Sequence, residues 1–419
     1  MKRVWLYLLL TLAAMSCTGN VSVKDFGARG DGATLDTEAI QAAIDRVAEK
    51  GGGKVTVPAG TYLCGSLWLR SHVELHLEAD AVIKGSPDIK DYCKADCCPQ
   101  NEAEVGFGDY ISGGHLILGV GVEDVTLSGP GRIDGNSDAF LLDSLGVRYA
   151  RKSLVPARPA QMVWFVDSQD IRLRNIELAD APYWSCFILN CSRVSIDGCY
   201  VHTRRKDYHT FNGDGIDIDR SSFVTVSGCR IDTSDDCLTL RASGAHLLTH
   251  PQDCAGVTVR NCHLSSSCNA IRIGVGEGHI HDALLSDITI SDTNVAFNIV
   301  GAYSKGERGP DIDNIHFRDI SVEAHELLRI HHMRSKDCVI RDITLEKVNG
   351  TAPNLSRLWA REAAPFRHIV FKDVNVPAQF ECINADVRVK GGSFREILLS
   401  DEERAARREN IETGKKLLY

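Results

Sequence analysis

Three aspartates are placed in the sequence so that they could act together as acids and bases. Asp214 lies within the segment 212–217, and Asp235 and Asp236 follow 21 residues later; a short alternation of apolar residues succeeds each motif. Such alternation predicts a β-strand after each motif. Strands one turn apart in a β-solenoid would bring the three carboxylates to one face, where like charges raise the pKa of one of them. The cluster would then hold an acid and a base, as hydrolysis of a glycosidic bond requires.

A strand-and-corner unit recurs along the chain and predicts the scaffold that would position these aspartates. Each unit has alternating apolar residues followed by Asn, Asp or Gly, and successive units lie 23 to 33 residues apart. The units occupy residues 171–176, 194–199, 224–229, 257–262, 286–288, 318–320, 341–343 and 372–374. Strand-only repeats of this period are typical of a solenoid. The sequence therefore predicts an all-β fold, a right-handed parallel β-helix.

Residues 21–395 are predicted to form one β-helix domain that is closed at its ends by other segments. Asp36 is expected to cap an N-terminal helix that ends at the glycines 51–53 and covers the first turn of the β-helix. The apolar stripe of this helix consists of Ile40, Ile44 and Val47. The charged segment 396–419 is either a second capping helix or a solvated tail.

Two long segments without periodicity, 93–114 and 136–159, are interpreted as loops that build binding walls over the scaffold. Cys93, Cys97 and Cys98 cluster in the first of them. A disulfide or a structural role is expected for these cysteines rather than metal binding, because no histidine lies at ligand spacing.

Cysteine is abundant, with fifteen residues in the chain. Cys199, Cys229 and Cys262 occupy the same place in successive repeat units. Because free cysteine packs as a small apolar residue, a buried ladder of thiols is expected there.

The first residues of the chain predict export. Lys2 and Arg3 precede the apolar run 4–15, which is too short to span a bilayer and is typical of a signal peptide over residues 1–20. Cys17 lies where a bacterial lipoprotein would be cleaved and lipidated, the alternative being ordinary secretion. We expect a bacterial periplasmic protein or outer-membrane lipoprotein that meets a membrane only through this anchor. The net charge of −9 without a basic block disfavours nucleic acid as a partner.

Short motifs spread from about residue 23 to the last repeats occur together in one known family. The matching segments are 25–32, 60–63, 131–135, 158–159 and 182–184. Segment 212–215 matches the family motif Asn-Thr-Asp-Gly except at Gly213, and segment 234–237 matches Gly-Asp-Asp-Cys except at Ser234. On these residues the chain resembles glycoside hydrolase family 28, the polygalacturonases and rhamnogalacturonan hydrolases.

The resemblance implies a β-helix enzyme that hydrolyses glycosidic bonds in a pectin-type polysaccharide or its oligosaccharides, with inversion. It implies that Asp235 is the general acid and that Asp214 and Asp236 activate water. It implies no metal and no other cofactor. The expected partner is the polysaccharide or oligosaccharide substrate, and the protein is expected to act as a monomer.

Two family motifs are altered in ways that bear on the substrate. Gly-His-Gly falls on residues 268–270, where the histidine is missing, and Arg-Ile-Lys falls on residues 297–299, where both cations are missing. In polygalacturonases these cations hold a galacturonate carboxylate, which neither Phe nor Ile can do. A rhamnogalacturonan fragment, a side chain or another plant or host glycan is therefore favoured over plain polygalacturonate.

Four residues near these motifs are candidates for binding substrate: Arg272, Arg241, Asn269 and His209. Arg272 could supply a cation from another direction, or form a structural ion pair. Arg241 replaces a lysine that commonly follows the Asp-Asp motif and keeps its charge. Asn269 could bind a sugar or extend a buried stack of asparagines, and His209 could bind substrate or be satisfied within its loop.

Two other functions are compatible with the sequence. Parallel β-helices also include polysaccharide lyases and uronate epimerases, and a lyase could use the aspartates as calcium ligands. A non-catalytic glycan-binding β-helix would account for the missing histidine and cations, but it would have no use for all three carboxylates. Fold alone does not decide between these functions.

Overall fold

A computed structural model of the chain shows a β-helix built from parallel strand pairs. It describes residues 19–94, 97–98, 100, 112–140, 158–203, 212–302, 308–333 and 338–413. Within these residues thirty strands are joined in one sheet, and strands between the two ends pair with strands of the preceding and following turns, as Val163–Val166 does. The predicted all-β class and parallel β-helix are confirmed.

The strands form three stacks that run along the helix. The first stack contains Gly19–Ser22, Gly53–Val57, Val73–Leu77, Glu123–Ser128, Gln169–Arg174, Ser192–Asp197, Ser222–Ser227, Phe366–Val374 and Ala385–Gly392. The second contains Asp31–Leu35, Gly60–Cys64, Ala81–Gly85, Arg132–Asp134, Glu177–Ala179, Tyr200–His202 and Arg230–Thr233. The third contains Leu67–Trp68, Ile117–Val120, Val163–Val166, Cys186–Leu189, Ile216–Asp219, Leu238–Ala242, Asn269–Gly276, Ser356–Trp359, Gln379–Ile383 and Arg395–Glu396.

Four longer strands continue from one stack into the next. They are Cys254–Ser266, His279–Ala302, Asp311–Met333 and Arg341–Thr351. Short 3-10 helices lie at Val23–Phe26, Ile89–Asp91, Ser137–Ala139 and Ala245–Leu247.

Alternate residues of the third stack face the interior and the exterior of the helix. The inward column is apolar and buried, and it includes Cys186, Ile216, Leu238, Ile271 and Phe297. The outward column, one residue later in each strand, includes Phe187, Asp217, Thr239, Arg272 and Asn298. Since burial of apolar surface drives folding, the inward column fixes the register that places the polar outward column.

Two columns of corner residues with a left-handed backbone stack along much of the helix. The first corner, with φ between 53° and 63°, is formed by Asp124, Asp170, Arg193, Phe223, Gly256, Asp282, Asn314, Asp342 and His368. The second, with φ between 53° and 64°, is formed by Asn175, Gly198, Gly228, Asn261, Asp287, Asp319, Lys347 and Asp373. Asn, Asp and Gly dominate because they adopt this conformation at the lowest cost.

The corner columns correct one repeat assignment. The sequence unit 341–343 belongs to the first corner, since Arg341 pairs with Arg367. Lys347 occupies the second corner of that turn, one residue after Glu346, which pairs with Arg318. The unit was misplaced because a lysine stands where the pattern requires Asn, Asp or Gly.

The predicted N-terminal helix spans Thr37–Glu49 and buries its apolar stripe against the first turn. Asp36 precedes it but makes no capping hydrogen bond. Its carboxylate instead accepts hydrogen bonds from the backbone N–H groups of Arg29 and Gly30, at 2.6 and 2.9 Å. Asp36 is therefore the N-cap residue, as predicted, but its side chain ties down the preceding loop instead of bonding to the helix.

Part of the charged C-terminal segment is a helix, Asp401–Thr413, that lies against the last turns. Ile411 is buried in a small cluster with Trp359 and Ile383. Of the two alternatives for this segment, a capping helix describes residues 401–413.

All fourteen cysteines in the described residues are free thiols. Cys199, Cys229 and Cys262 are buried on successive turns, as the predicted ladder requires. The sulfur atoms of Cys93 and Cys97 lie 3.2 Å apart as thiols, so the structure shows no disulfide there.

None of the helices in the described residues has the length and apolar character needed to cross a membrane. The predicted signal segment with Cys17, the candidate His209 and much of the two predicted loops lie outside the described residues.

Candidate active site

Asp214, Asp235 and Asp236 lie just before third-stack strands in consecutive turns of the helix. The two strands are in register, with Ile216 opposite Leu238. The backbone N–H of Gly215 donates to the carbonyl of Asp236 at 2.8 Å. Because paired strands are about 4.8 Å apart, the structure brings together the three aspartates that the sequence singles out.

Arg272, one turn further along, supplies positive charge to this cluster. Its guanidinium contacts Asp236 directly, and its Nη2 lies 3.9 Å from Oδ2 of Asp214. Only 13% of its side chain is exposed. Burial disfavours the charged form, but the nearby carboxylates, Asp236 foremost, outweigh burial and raise the pKa of Arg272. Arg272 is therefore a charged partner for the aspartates.

Burial and crowding raise the pKa of two of the three carboxyl groups. Burial, followed by the charge of Asp236, raises the pKa of Asp235 from 3.8 to about 7. Burial, followed by the charge of Asp235, raises the pKa of Asp214 well above its ordinary value. The carboxylate of Asp236 contacts the guanidinium of Arg272 directly. The geometry thus separates an acid that titrates near neutral pH from a carboxylate stabilised by a cation.

A chain of amide groups orients Asp236. Nδ2 of Asn269 donates to Oδ1 of Asp236 at 2.5 Å, and Nδ2 of Asn298 donates to Oδ1 of Asn269 at 3.2 Å. All three side chains are buried. These contacts favour the stacked-asparagine interpretation of Asn269 over a direct contact with a sugar.

Cys268 is a neighbour of the acid for which the sequence predicts no role. Its sulfur and one carboxylate oxygen each of Asp235 and Asp236 lie within 4.8 Å of one another. Burial, followed by the charge of Asp235, raises the pKa of Cys268 well above its usual range. The thiol therefore stays protonated and is a weak hydrogen-bond donor beside Asp235. The signal for it is its place in the altered Gly-His-Gly motif.

The two single-residue departures from the aspartate motifs, Gly213 and Ser234, compensate for each other sterically. A Cβ atom at Gly213 would lie 2.5 Å from Oγ of Ser234 and 2.7 Å from Oγ1 of Thr203. The hydroxyl of Ser234 therefore occupies the space that a side chain at position 213 would need. The side chain of Ser234, on the next turn, thus replaces the side chain that is missing at position 213. This keeps the packing beside Asp214 closed.

Arg241 is held in a buried cluster rather than presented to solvent. Its Nη1 lies 3.5 Å from Oδ1 of Asp217, and its Nε lies 3.6 Å from Oδ2 of Asp219. The guanidinium also lies 4.6 Å from the ring centre of Trp184, and 5% of the side chain is exposed. This environment favours a structural ion pair over the predicted contact with substrate.

The register corrects the assignment of the missing cations. Phe297 and Ile299 are fully buried and face the core, and Asn298 between them is the outward neighbour of Arg272. The sequence assignment to residues 297–299 therefore placed both expected cations on the wrong face of the strand. The outward-facing positions of this strand, Asn298 and Val300, are uncharged, so the strand supplies no cation in either phase.

Two further arginines lie on the same outward column, on the next two turns. Arg329 is the register neighbour of Asn298, and Arg357 is the neighbour of Arg329. Both contact the buried Glu326, at 2.6 Å and 3.3 Å between nitrogen and Oε2. The three side chains carry two positive charges and one negative charge.

A family model described as "Glycosyl hydrolases family 28" matches residues 54–390, most of the chain. A probable polygalacturonase from Vitis vinifera is 28% identical over 314 residues, which cover 72% of this chain and 61% of the relative. An exo-poly-alpha-D-galacturonosidase from Dickeya chrysanthemi is 23% identical over 415 residues, which cover 90% of this chain and 65% of the relative. The chain thus spans less than two thirds of the length of either curated relative.

Among solved structures, a hyperthermoactive exopolygalacturonase from Thermotoga maritima superposes with a TM-score of 0.71 at 19% sequence identity. The superposition covers 90% of this chain and 92% of that chain. At this identity the likeness concerns the fold.

Proposed function

Because the chain belongs to glycosyl hydrolases family 28, we propose that it is an inverting hydrolase of a pectin-type polysaccharide or its oligosaccharides. The observation that carries the proposal is the cluster of Asp214, Asp235 and Asp236 with Arg272. One carboxyl group of this cluster titrates near neutral pH, and another lies against a guanidinium. Hydrolysis of a glycosidic bond uses such a division between a protonated acid and an ionised base.

The proposed roles follow from these environments. Asp235 donates its proton to the glycosidic oxygen as the bond from that oxygen to the anomeric carbon breaks. Asp236, whose carboxylate contacts the guanidinium of Arg272, accepts a proton from the water that attacks the anomeric carbon from the opposite face. Asp214, whose Oδ2 lies 3.9 Å from Nη2 of the same guanidinium, shares in activating this water, as the resemblance implies.

The substrate we propose carries carboxylates, as galacturonate-containing glycans do. Arg329 and Arg357 lie two and three turns from Arg272 on one column, or about 10 and 14 Å along the axis. Together with Glu326 these two arginines carry one net positive charge, and the next residue of the column, Glu381, is paired with Arg407. An arginine pair of this kind suits a uronate carboxylate. Fragments of homogalacturonan and of rhamnogalacturonan both carry such carboxylates.

The lyase alternative fits the site less well. Calcium takes six to eight oxygen ligands, whereas a guanidinium contacts Asp236 and a thiol lies beside Asp235. A thiol suits softer metals. Asp214 is buried behind the same guanidinium. These contacts support proton transfer by the aspartates rather than coordination of calcium.

The reaction type can be tested by product analysis on a panel of pectic glycans, with a chelator present. We expect saturated reducing sugars whose first-formed anomer has the opposite configuration to the substrate bond, measured by proton NMR during turnover. A product with retained configuration, an unsaturated product absorbing in the ultraviolet, or loss of activity with the chelator would contradict the proposal. Binding to the panel without turnover would favour the non-catalytic alternative.

Activity is expected to fall as the pH rises through about 7. The raised pKa of Asp235, about 7, means that the acid is protonated below that pH and loses its proton above it. The value of kcat/KM should therefore decrease about tenfold for each pH unit well above the pKa. The measurement is kcat/KM against pH on the best glycan of the panel. A profile that stays flat from pH 6 to pH 9 would rule out Asp235 as the acid.

The location we propose is the periplasm or the outer membrane of a bacterium, with the protein acting as a monomer. Lys2, Arg3 and the apolar run 4–15 support export, and Cys17 is the residue that would carry a lipid. A long polysaccharide does not enter a cell intact, so an exported enzyme would meet it first.

A further inference from the structure

A cluster of two histidines and an aspartate lies outside the proposed active site, on two consecutive turns of the first stack. Ala255 pairs with His281, and His281 pairs with Asp313, so these turns are in register. His279 and His281 are two residues apart on one strand and therefore face the same side. Asp253 directly precedes the neighbouring strand, Cys254–Ser266.

One ring nitrogen of each histidine points to Asp253. Nε2 of His281 lies 3.6 Å from Oδ2 of Asp253, and Nδ1 of His279 lies 3.9 Å from the same oxygen. The two rings are close, with 4.2 Å between their centres. Ligand atoms about 2.0–2.2 Å from one tetrahedral zinc ion lie about 3.4 Å apart. The observed separations exceed this spacing by a few tenths of an ångström.

The other ring nitrogen of each histidine contacts a carboxylate. Nε2 of His279 lies 2.8 Å from Oδ2 of Asp313, and Nδ1 of His281 lies 2.8 Å from Oδ2 of Asp282. Histidines that bind a metal nearly always donate their second N–H to such a group, which fixes the tautomer and the ring orientation. In this cluster both histidines have that outer partner, and both turn the remaining nitrogen to Asp253.

From these contacts we infer that Asp253, His279 and His281 form a zinc site, with Asp313 and Asp282 as the outer carboxylates. Two imidazoles and one carboxylate are a donor set that zinc accepts, and a water molecule would complete the four-coordinate shell. The ion would join neighbouring turns of the β-helix at the first stack, whereas the aspartates proposed as catalytic precede strands of the third stack. The inference is independent of the proposed reaction.

Zinc binding can be measured by calorimetric titration of the chelator-treated full chain with zinc chloride. His281→Gln removes one ligand, and Asp253→Asn removes the carboxylate charge from a side chain that is 53% exposed and tolerant of change. His263→Gln is the matched control. His263 is exposed, and Nε2 of its ring forms a hydrogen bond with Oγ of Ser291 and lies outside the cluster. Circular dichroism checks that each variant is folded.

We expect the wild type and His263→Gln to bind one more zinc equivalent than His281→Gln and Asp253→Asn. Zinc should also raise the thermal midpoint of the first two proteins and not of the others. Asp313→Asn should weaken binding about 10- to 100-fold without abolishing it. Two results would overturn the inference. One is an equal zinc stoichiometry in all proteins, which would place zinc at Cys268 or another thiol. The other is no zinc binding to the wild type.

Discussion

Replacing Asp235 by asparagine is expected to lower kcat about 100- to 10,000-fold, the usual contribution of a general acid. Asparagine keeps the shape of the side chain but cannot give a proton to the glycosidic oxygen. Because substrate contacts remain, KM should change far less than kcat. The measurement is steady-state kinetics on a pectic oligosaccharide at about pH 6, where the wild-type acid is protonated. Asp287→Asn is the matched control, since Asp287 is exposed at a left-handed corner that asparagine also adopts.

Stability separates this loss of catalysis from misfolding. The pKa of Asp235 is raised from 3.8 to about 7 in the folded protein, so the folded state binds the proton more tightly than the unfolded state. The stability that this proton contributes is complete below about pH 4 and is lost as the pH rises to about 7. Asp235→Asn should therefore be more stable than the wild type at neutral pH, by on the order of 1 to 4 kcal/mol. Urea unfolding at pH 4 and pH 7 measures this difference in stability. A kcat of Asp235→Asn within threefold of the wild-type value would contradict the assignment of Asp235 as the general acid.

Replacing Arg272 by methionine is expected to damage both activity and stability. Removing one partner of a buried ion pair costs about 3–5 kcal/mol, because the remaining charge is left without compensation. Asp236 and Asp214 would then be close together without the guanidinium, and the crowded pair would take up a proton. The carboxylate that accepts a proton from water would be lost near neutral pH, so kcat should fall at least about 100-fold.

Two control variants distinguish this role from a general effect of losing an arginine. Arg260→Met removes an exposed arginine of a neighbouring turn and should leave the urea midpoint and kcat unchanged. Arg272→Lys keeps the charge without the planar fork, so it should recover part of the stability and less of the activity. If Arg272→Met unfolded at the wild-type urea concentration, Arg272 would not be the partner that balances these carboxylates.

The meeting of the three aspartates proposed as catalytic could be predicted from the sequence because each is tied to a local pattern. Asp214 and Asp235 precede apolar alternations that are recognisable as strands, and one repeat period separates them. The thiol ladder was predictable for the same reason. The repeat period, rather than any single motif, identified both the fold and the meeting of the three carboxylates.

It was harder to predict from the sequence which residues of a strand face the core and which face outward. Shifting an assignment by one residue moves every side chain to the opposite face. For this reason the Arg-Ile-Lys motif was assigned to residues 297–299, whose first and last side chains face the core. The partners of Arg241 were also hidden, since Asp217 and Asp219 lie on the preceding turn. Asp36 shows a third limit, because a side chain that suits a helix cap can instead bind a preceding loop.

The two left-handed corners have an evolutionary consequence. The separation of neighbouring second-corner residues ranges from 23 residues, between Asn175 and Gly198, to 33, between Gly228 and Asn261, while φ stays between 53° and 64°. Extra residues are accommodated in loops between the strands, so the stacked strands keep their register whatever the loop length. Insertions and deletions can therefore change the loops without moving Asp214, Asp235 or Asp236. Under the proposed function, the scaffold allows substrate range to diversify by loop exchange while the three aspartates keep their positions.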